Sequence, residues 1–344
     1  MLSDGNVSVA QIFGDMLTDN DTQICTFVVY GILSGIVSLF GVFFNVINVS
    51  VFFKMGFFET TNITLCSLAV ADLIILLMLV AFSVIYNPAF IEAVHGMQVV
   101  QALDYLPVGW PFVCFSRISG CLTTYVALER FLCVALPLKV KTILTPGRTV
   151  AVNVSVYLVM IGSTLPVFVG FQLGPVYNED LNLTLVGLLA WPESHELENF
   201  SLSFNVFVQL ASFFLVVVFT VGLIQSFMRK SEWRKTSSSA SNNTSFSSRD
   251  KKLVKMITLI AVIFIACAFP GVLGILAMLF VDDYNITGRY KNLFVSTFSV
   301  FFALGSINST VTIFVYFHMS SKFKEVLLDM LQMRKFILKE KRRI

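Results

Sequence analysis

The sequence predicts an all-α membrane protein, a seven-transmembrane helix bundle with a short amphipathic eighth helix. Three observations carry that prediction. The 344-residue chain is 56% hydrophobic and only 13% charged, about half the charge of a soluble domain. Its apolar residues gather into seven segments, near 26–53, 63–86, 103–134, 149–171, 202–228, 253–280 and 292–317. A helix crossing a hydrocarbon core about 30 Å thick needs roughly 20 such residues. Finally, basic residues collect on alternate connections. So little charge argues against a soluble enzyme, a disordered protein and a nucleic-acid binder. A transmembrane β-barrel would instead show alternating segments of about 10 residues. The cysteines (Cys25, Cys66, Cys114, Cys121, Cys133 and Cys267) show no close-paired CxxC spacing. Neither a zinc site nor a disulfide scaffold is suggested.

The elements follow in order. Residues 1–24 are polar and acidic and read as an extracellular tail, without the basic start and apolar run of a cleavable signal peptide. Residues 25–318 form the seven-transmembrane domain, and its first segment, Thr26 to Phe53, is long enough to act as its own insertion signal. Residues 319–344 form an amphipathic helix and a cytoplasmic tail. With the N-terminus outside, the inner ends and connections hold 21 bases and 7 acids, and the outer ones 2 bases and 13 acids. Basic connections stay cytoplasmic, so a multi-pass protein of the plasma membrane with an extracellular N-terminus is expected.

Asn6, Asn20, Asn182, Asn199 and Asn285 each head an N-x-S/T triplet on the outer side, where glycosylation can occur. The same triplet at Asn48, Asn153 and Asn308 within helices, and at Asn62, Asn242 and Asn243 inside, shows how unspecific it is. The Ser-rich stretch 229–252 reads as a flexible cytoplasmic loop. It is either a solvated linker or a kinase substrate and docking loop, where phosphate would reverse its local charge. From Ser320 to Phe336 the helical period continues, with Phe323, Val326, Leu327, Met330 and Leu331 on one face. That suits a helix lying in the membrane interface. No cysteine follows Cys267, which excludes palmitoylation of that helix.

Ionisable groups inside hydrocarbon are costly and tend to be functional. Asp72 stands in the middle of the second segment, Arg117 within the third, and Glu129–Arg130 at the third segment's inner end. An isolated carboxylate at Asp72 needs polar company or a cation, and Asn45, Ser119, Asn308 and Ser309 offer oxygen and amide groups. The set suits sodium or a proton; a water-filled hydrogen-bond cluster is the alternative. Arg130 reads either as a snorkelling interface arginine or as a guanidinium shared between Glu129 and Asp250, tying the third segment to the sixth as a switch.

These residues lie within motifs. Gly41-Val42-Phe43-Phe44-Asn45, Leu68-Ala69-Val70-Ala71-Asp72, Glu129-Arg130-Phe131, Cys267-Ala268-Phe269-Pro270 and Asn308 through Tyr316 follow one another on successive segments. Pro137 falls seven residues after Arg130, and Phe323 follows Tyr316 at a fixed spacing. In this order the motifs resemble GxxxN, LAxAD, DRY, CWxP and NSxxNPxxY of the rhodopsin-like (class A) G-protein-coupled receptors, over residues 25 to about 335. The run from Glu129 to Lys141 is most similar to chemosensory-type orphan receptors of gastropod molluscs, distant relatives of peptide receptors. The resemblance implies a receptor that passes binding of an extracellular chemical or peptide ligand to a heterotrimeric G protein. Kinases and arrestin are the further partners it implies. It implies no cofactor beyond an allosteric sodium ion held by Asp72, Ser119, Asn308 and Ser309. It implies a switch built on Glu129, Arg130, Asp250, Pro270 and Tyr316.

The departures matter too. The family's cysteine at the outer end of the third helix corresponds to a position near Tyr105, and residues 172–200 contain no cysteine. The outer staple is therefore expected to be absent, with a short strand pair around Leu181–Trp191 held by packing. Ala268 replaces the sixth-helix Trp, Thr312-Ile313 replaces the seventh-helix Asn-Pro, and Tyr157 takes the place of the fourth-helix Trp. Pro270 remains to kink its helix.

Arg117 lies 13 residues, about 20 Å, outward of Arg130. That is the depth of the family's ligand cavity, which Phe112, Ser116 and Phe269 would also line. Arg117 points about 160° away from Ser119 on a helical wheel, and the other segments hold no acid at its depth. Its partner is either a carboxylate- or phosphate-bearing ligand, or helix carbonyls and water. Phe112 stands where amine receptors carry an aspartate, which disfavours a biogenic amine. The outer acids suit a basic peptide, or simply a solvated surface. A transporter or channel would show internal repeats, broken helices and polar residues lining a through-path; no repeat is found, and the inner arginine pair fits a gate for a partner better than a conduction path. A membrane enzyme fits least: there is no HExxH or GxSxG, and the three histidines are scattered outside the span centres.

Overall fold

The computed structural model describes residues 17–236, 248–286 and 288–331, the side chains of 230–251 excepted. Among them, seven helices are long and apolar enough to cross a membrane: Asp19–Met55, Thr60–Ile85, Met97–Ala135, Pro146–Gly170, Ser194–Arg229, Lys252–Phe280 and Lys291–Met319. They are called the first to seventh spans below. The helices run past the apolar segments at several ends. The first begins at Asp19, inside the stretch read as a tail, because Thr18 caps it. The Thr18 hydroxyl accepts from the Asp21 amide at 3.1 Å, and the Asp21 carboxylate accepts from the Thr18 amide at 3.1 Å. This reciprocal box satisfies amides that have no partner within the helix. The fifth helix continues to Thr236, so the start of the stretch read as a flexible loop is helical.

Buried faces follow the neighbours each span meets. In the second, Leu65, Leu68, Ala69, Asp72, Ile75, Leu76 and Leu79 are buried at spacings of three and four along one helical face, whereas the third, with Ile118, Ser119 and Gly120 buried in succession, is covered on more than one side. The third span is central and touches the second, fourth, fifth and sixth. Gly41 lets the first, second and seventh spans approach closely, since a side chain there would run into Leu76 and the Thr310 hydroxyl. Two stretches widen to π-helix, Phe27–Ser34 and Asp104–Gly109. The second contains Pro107, whose missing N–H suits a locally broken ladder.

After the seventh span, Ser320 turns the chain into a helix over Ser321–Met330, its hydroxyl accepting from the Phe323 amide at 3.2 Å. Phe323 and Leu327 are buried. The Phe323 ring lies 5.5 Å from both Phe52 and Tyr316, so Phe323 and Leu327 dock the eighth helix on the bundle.

The connection between the fourth and fifth spans is an antiparallel hairpin of β1 (Phe171–Asn178) and β2 (Leu183–Ala190), pairing Phe171 with Ala190 and Asn178 with Leu183. It starts ten residues earlier than the strand pair expected around Leu181. Asn182 takes a positive φ of 52° at its turn, a conformation asparagine tolerates better than most residues. All six cysteines are free, in line with the missing staple. Rings take its place. Phe171 sits 5.1 Å from Tyr105, and Tyr105 sits 6.2 Å from Trp110. Val167 and Leu106 complete this buried cluster. Further along, Asn178 donates to Gln98 at 2.8 Å.

The clasp makes two outcomes measurable by thermal unfolding of the purified protein. Phe171→Ala should remove about 3 kcal/mol of packing and lower the melting temperature. Dithiothreitol should leave the wild-type melting curve unchanged; a reductant-sensitive curve would contradict an outer face held by rings.

Candidate functional site

Polar residues of the first, second, third and seventh spans assemble into one network at mid-depth. Asp72 is 1% exposed. Ser119 of the third span donates to its Oδ1 at 2.9 Å and Ser309 of the seventh donates to the same oxygen at 3.0 Å. The first span joins through Asn45, whose amide donates to the Ser309 carbonyl at 2.9 Å and the Gly41 carbonyl at 3.0 Å. Asn48 then donates to Asn45 Oδ1 at 3.3 Å and to the Thr312 hydroxyl at 3.4 Å. One carboxylate thus links three helices directly and a fourth through one carbonyl. Of the four residues grouped with a sodium ion, three are in contact. Asn308 faces an adjoining cavity instead, and Thr312 serves the asparagine side of the network.

That cavity, about 50 Å³, also meets Ser119, Ser309, Phe112, Ser116 and Arg117. Arg117 is buried, and its guanidinium donates to Gln209 Oε1 of the fifth span. Its helical-wheel direction, away from Ser119, holds for that head group, yet both residues border the same space. Phe112 belongs to an aromatic layer on the outer side, 4.4 Å from Phe302 and 6.0 Å from Phe82. Phe269 is placed differently from the expectation. It is 49% exposed and stacks on Phe213 at 6.3 Å. Adjacent helical residues diverge by about 100°, so Ala268 takes the cavity wall and turns Phe269 outward.

At the inner end the expected Glu129–Arg130 pairing is corrected. The two side chains make no ion pair with each other. Arg130 donates to the Thr61 hydroxyl of the second span. Glu129 accepts from the Thr149 hydroxyl of the fourth at 3.4 Å, and Thr149 also meets the Tyr125 hydroxyl at 3.2 Å. The same 100° step between neighbours sends them to different helices. The Asp250 side chain lies outside the described residues, as does Asn6. Tyr316 is buried and packs on Phe52, with ring centroids 5.2 Å apart. Pro270 lies inside the sixth helix. A larger cavity, about 330 Å³, opens here between Thr61, Met256, Tyr316, Phe323 and Lys252. Asn20, Asn182 and Asn199 are exposed. Asn285 is part-buried and donates to the Asp282 carbonyl at 2.7 Å.

Sequence reasoning missed Thr61, Thr149 and Gln209. Gln209 had a signal, as a lone amide deep in an apolar run. The two threonines had none, because threonine is common near span ends. Tyr157, noted only as a substitution, ties the fourth span to the second by donating to the Ser67 carbonyl at 2.7 Å.

A sequence model of the family described as 7 transmembrane receptor (rhodopsin family) matches residues 44–316. The chain is also similar to growth hormone secretagogue receptor type 1 of Mus musculus, 25% identical over 292 residues, covering 80% of this chain and 73% of that one. The receptors of the same name from Rattus norvegicus, 25% over 292 residues, and Homo sapiens, 25% over 298, match with the same coverage.

Because both hydroxyls land on Oδ1, their contributions should be coupled. Ser119→Ala and Ser309→Ala should each cost about 1–3 kcal/mol. The double variant should depart from additivity by at least about 0.5 kcal/mol. Thermal unfolding of the four proteins in a double-mutant cycle measures this; strict additivity would show that the two serines do not share the carboxylate.

Proposed function

The chain belongs to the rhodopsin family of seven-transmembrane receptors, and from that membership we propose how its parts divide the work of signalling. It is a G-protein-coupled receptor, a multi-pass membrane protein that converts ligand binding into engagement of a G protein. Its N-terminus is read as extracellular and its membrane as the plasma membrane, which the partition of basic residues supports. The agonist, a peptide or small molecule, enters between the outer ends of the spans. Phe112, Ser116 and Arg117 form the floor of its pocket. The acidic outer surface favours a basic peptide, and the likeness to growth hormone secretagogue receptors supports a soluble messenger over a transported solute.

The observation that carries the mechanism is the carboxylate of Asp72 held jointly by Ser119 and Ser309. A rearrangement of the third span against the second or seventh must break or remake those bonds. Agonist binding would act by population shift, favouring one of two arrangements through contacts made better in it. Asp72 Oδ2 takes no hydrogen bond from a described residue, and the hydroxyl oxygens of Ser119 and Ser309 lie 2.9 and 3.0 Å from Oδ1. That set fits a sodium ion, which would supply a positive charge to the buried carboxylate and favour the arrangement seen here. Ser119 and Ser309 would orient the carboxylate, and Asn45 would fix the seventh-span backbone behind Ser309.

The cytoplasmic cavity is the proposed seat of the G protein. Thr61 lines it and holds Arg130, so withdrawing Arg130 from Thr61 changes the wall of the docking site. Kinases and arrestin would act on the Ser-rich connection and the basic tail. Asn20, Asn182 and Asn199 are the exposed outer asparagines available to glycosylation, and Asn182 sits at a hairpin tip.

A screen of basic peptides and small molecules against cells expressing the receptor with a promiscuous G protein tests the reading. No response in a well-expressed receptor across a broad panel would count against the ligand class. Thr61→Val should raise basal signalling severalfold, Thr61→Ser should stay near wild type, and Arg130→Ala should abolish coupling at equal surface expression. A silent Thr61→Val would remove Thr61 from the switch.

A further inference from the structure

We propose that the cavity beside Arg117 binds a compact monovalent anion, a free halide or the carboxylate head of a larger ligand. The argument begins with cost. A guanidinium deep in a protein must be paired, because an uncompensated buried charge is strongly destabilising. Arg117 is only 8% exposed. Its one described partner is the neutral Oε1 of Gln209, and its Nε is sealed from solvent without any hydrogen-bond acceptor. Among the described residues no carboxylate lies within ion-pair distance of it. Asp72 is committed on Oδ1 to the two serines. A positive charge is therefore built into the bundle with its counter-charge missing.

The space beside it has the right size and chemistry. The cavity of about 50 Å³ has room for one small ion or the end of a carboxylate, and not for a whole ligand. Its wall offers the Ser116 hydroxyl and the side-chain amides of Asn308 and Gln209. Each can donate to an anion, while Arg117 supplies charge-assisted donors. Ile75, Phe112 and Phe264 add apolar surface to the wall, which lowers the local dielectric and strengthens the attraction. The phenylalanine layer of Phe82, Phe112 and Phe302 lies above. A multivalent anion is disfavoured, since one guanidinium provides a single positive charge.

The cavity is the one read above as the floor of the agonist pocket, so identifying the occupant as an agonist's carboxylate rests on that reading. A titration of simple ions without agonist does not, and its failure would be separate from failure of the receptor reading.

The experiment uses the purified full chain in detergent, at constant sodium. Isethionate, a bulky sulfonate without a carboxylate, is exchanged stepwise for chloride or for formate while thermal unfolding is followed. The expected result is a saturable rise of a few degrees in melting temperature with one or both small anions. Chloride activity points to a free ion, and formate without chloride points to the carboxylate head of a ligand. Arg117→Gln should abolish the rise. Gln209→Glu, which places a carboxylate beside Arg117, should fold stably and abolish it too, so a poorly folding Arg117→Gln would not leave the question open. No difference among the three anions in the wild type, or an equal rise in Gln209→Glu, would overturn the proposal.

Discussion

The bundle depends on one carboxylate. Asp72 is almost wholly removed from solvent, and the hydroxyls of Ser119 and Ser309 converge on a single one of its oxygens. A lone carboxylate at that depth would be costly. The cost falls when helices from three parts of the chain stand in one relative position. Burial thereby becomes a positioning device: the second, third and seventh spans are registered by chemistry as well as by shape. Asn45 extends the registration to the first span through a backbone carbonyl, which explains an asparagine directly after a close-approach glycine turn at Gly41.

The two ends of the bundle are built by different means. The outer end is largely aromatic, with the Phe82–Phe112–Phe302 layer and the Tyr105–Trp110–Phe171 clasp. The inner end is polar, with Arg130 on Thr61, Glu129 on Thr149, and Lys322 3.7 Å from Glu59 joining the eighth helix to the first inner connection. A ligand entering from outside meets soft, repackable surface, whereas a partner approaching from inside meets directional hydrogen bonds with discrete alternatives. Between them lie Asp72 and Arg117, one charge of each sign, bordering the same small space through Ser119 and Ser309.

The spans and the polar centre were legible because hydrocarbon imposes strict rules on sequence. Length and apolarity marked the helices, and any charge that survived within them stood out, as Asp72, Arg117, Glu129 and Arg130 did. The eighth helix was legible from its one apolar face. What the sequence could not convey was direction. Glu129 and Arg130 look like a pair in one dimension but face different helices, and Phe269 looks like a pocket residue until Ala268 is seen to occupy that wall. Partners such as Thr61 and Thr149 carry no compositional signal, since only the approach of another helix gives their hydroxyls a role. The extents of the first and fifth helices were missed for another reason: capping by Thr18 and helical continuation to Thr236 are properties of aqueous ends, which apolarity does not report.

The ring clasp at the outer face bears on how the molecule is made. Tyr105 and Phe171 flank the whole fourth span, so the clasp cannot close until that span has been synthesised and threaded beside the third. Receptors stapled by sulfur at this point need an oxidant and risk mispairing among their thiols. Here closure needs neither, and with six free cysteines the chain carries no correct disulfide for an oxidising compartment to find. Maturation of the outer face becomes a reversible packing step, which a nascent chain can attempt and repeat until the rings seat.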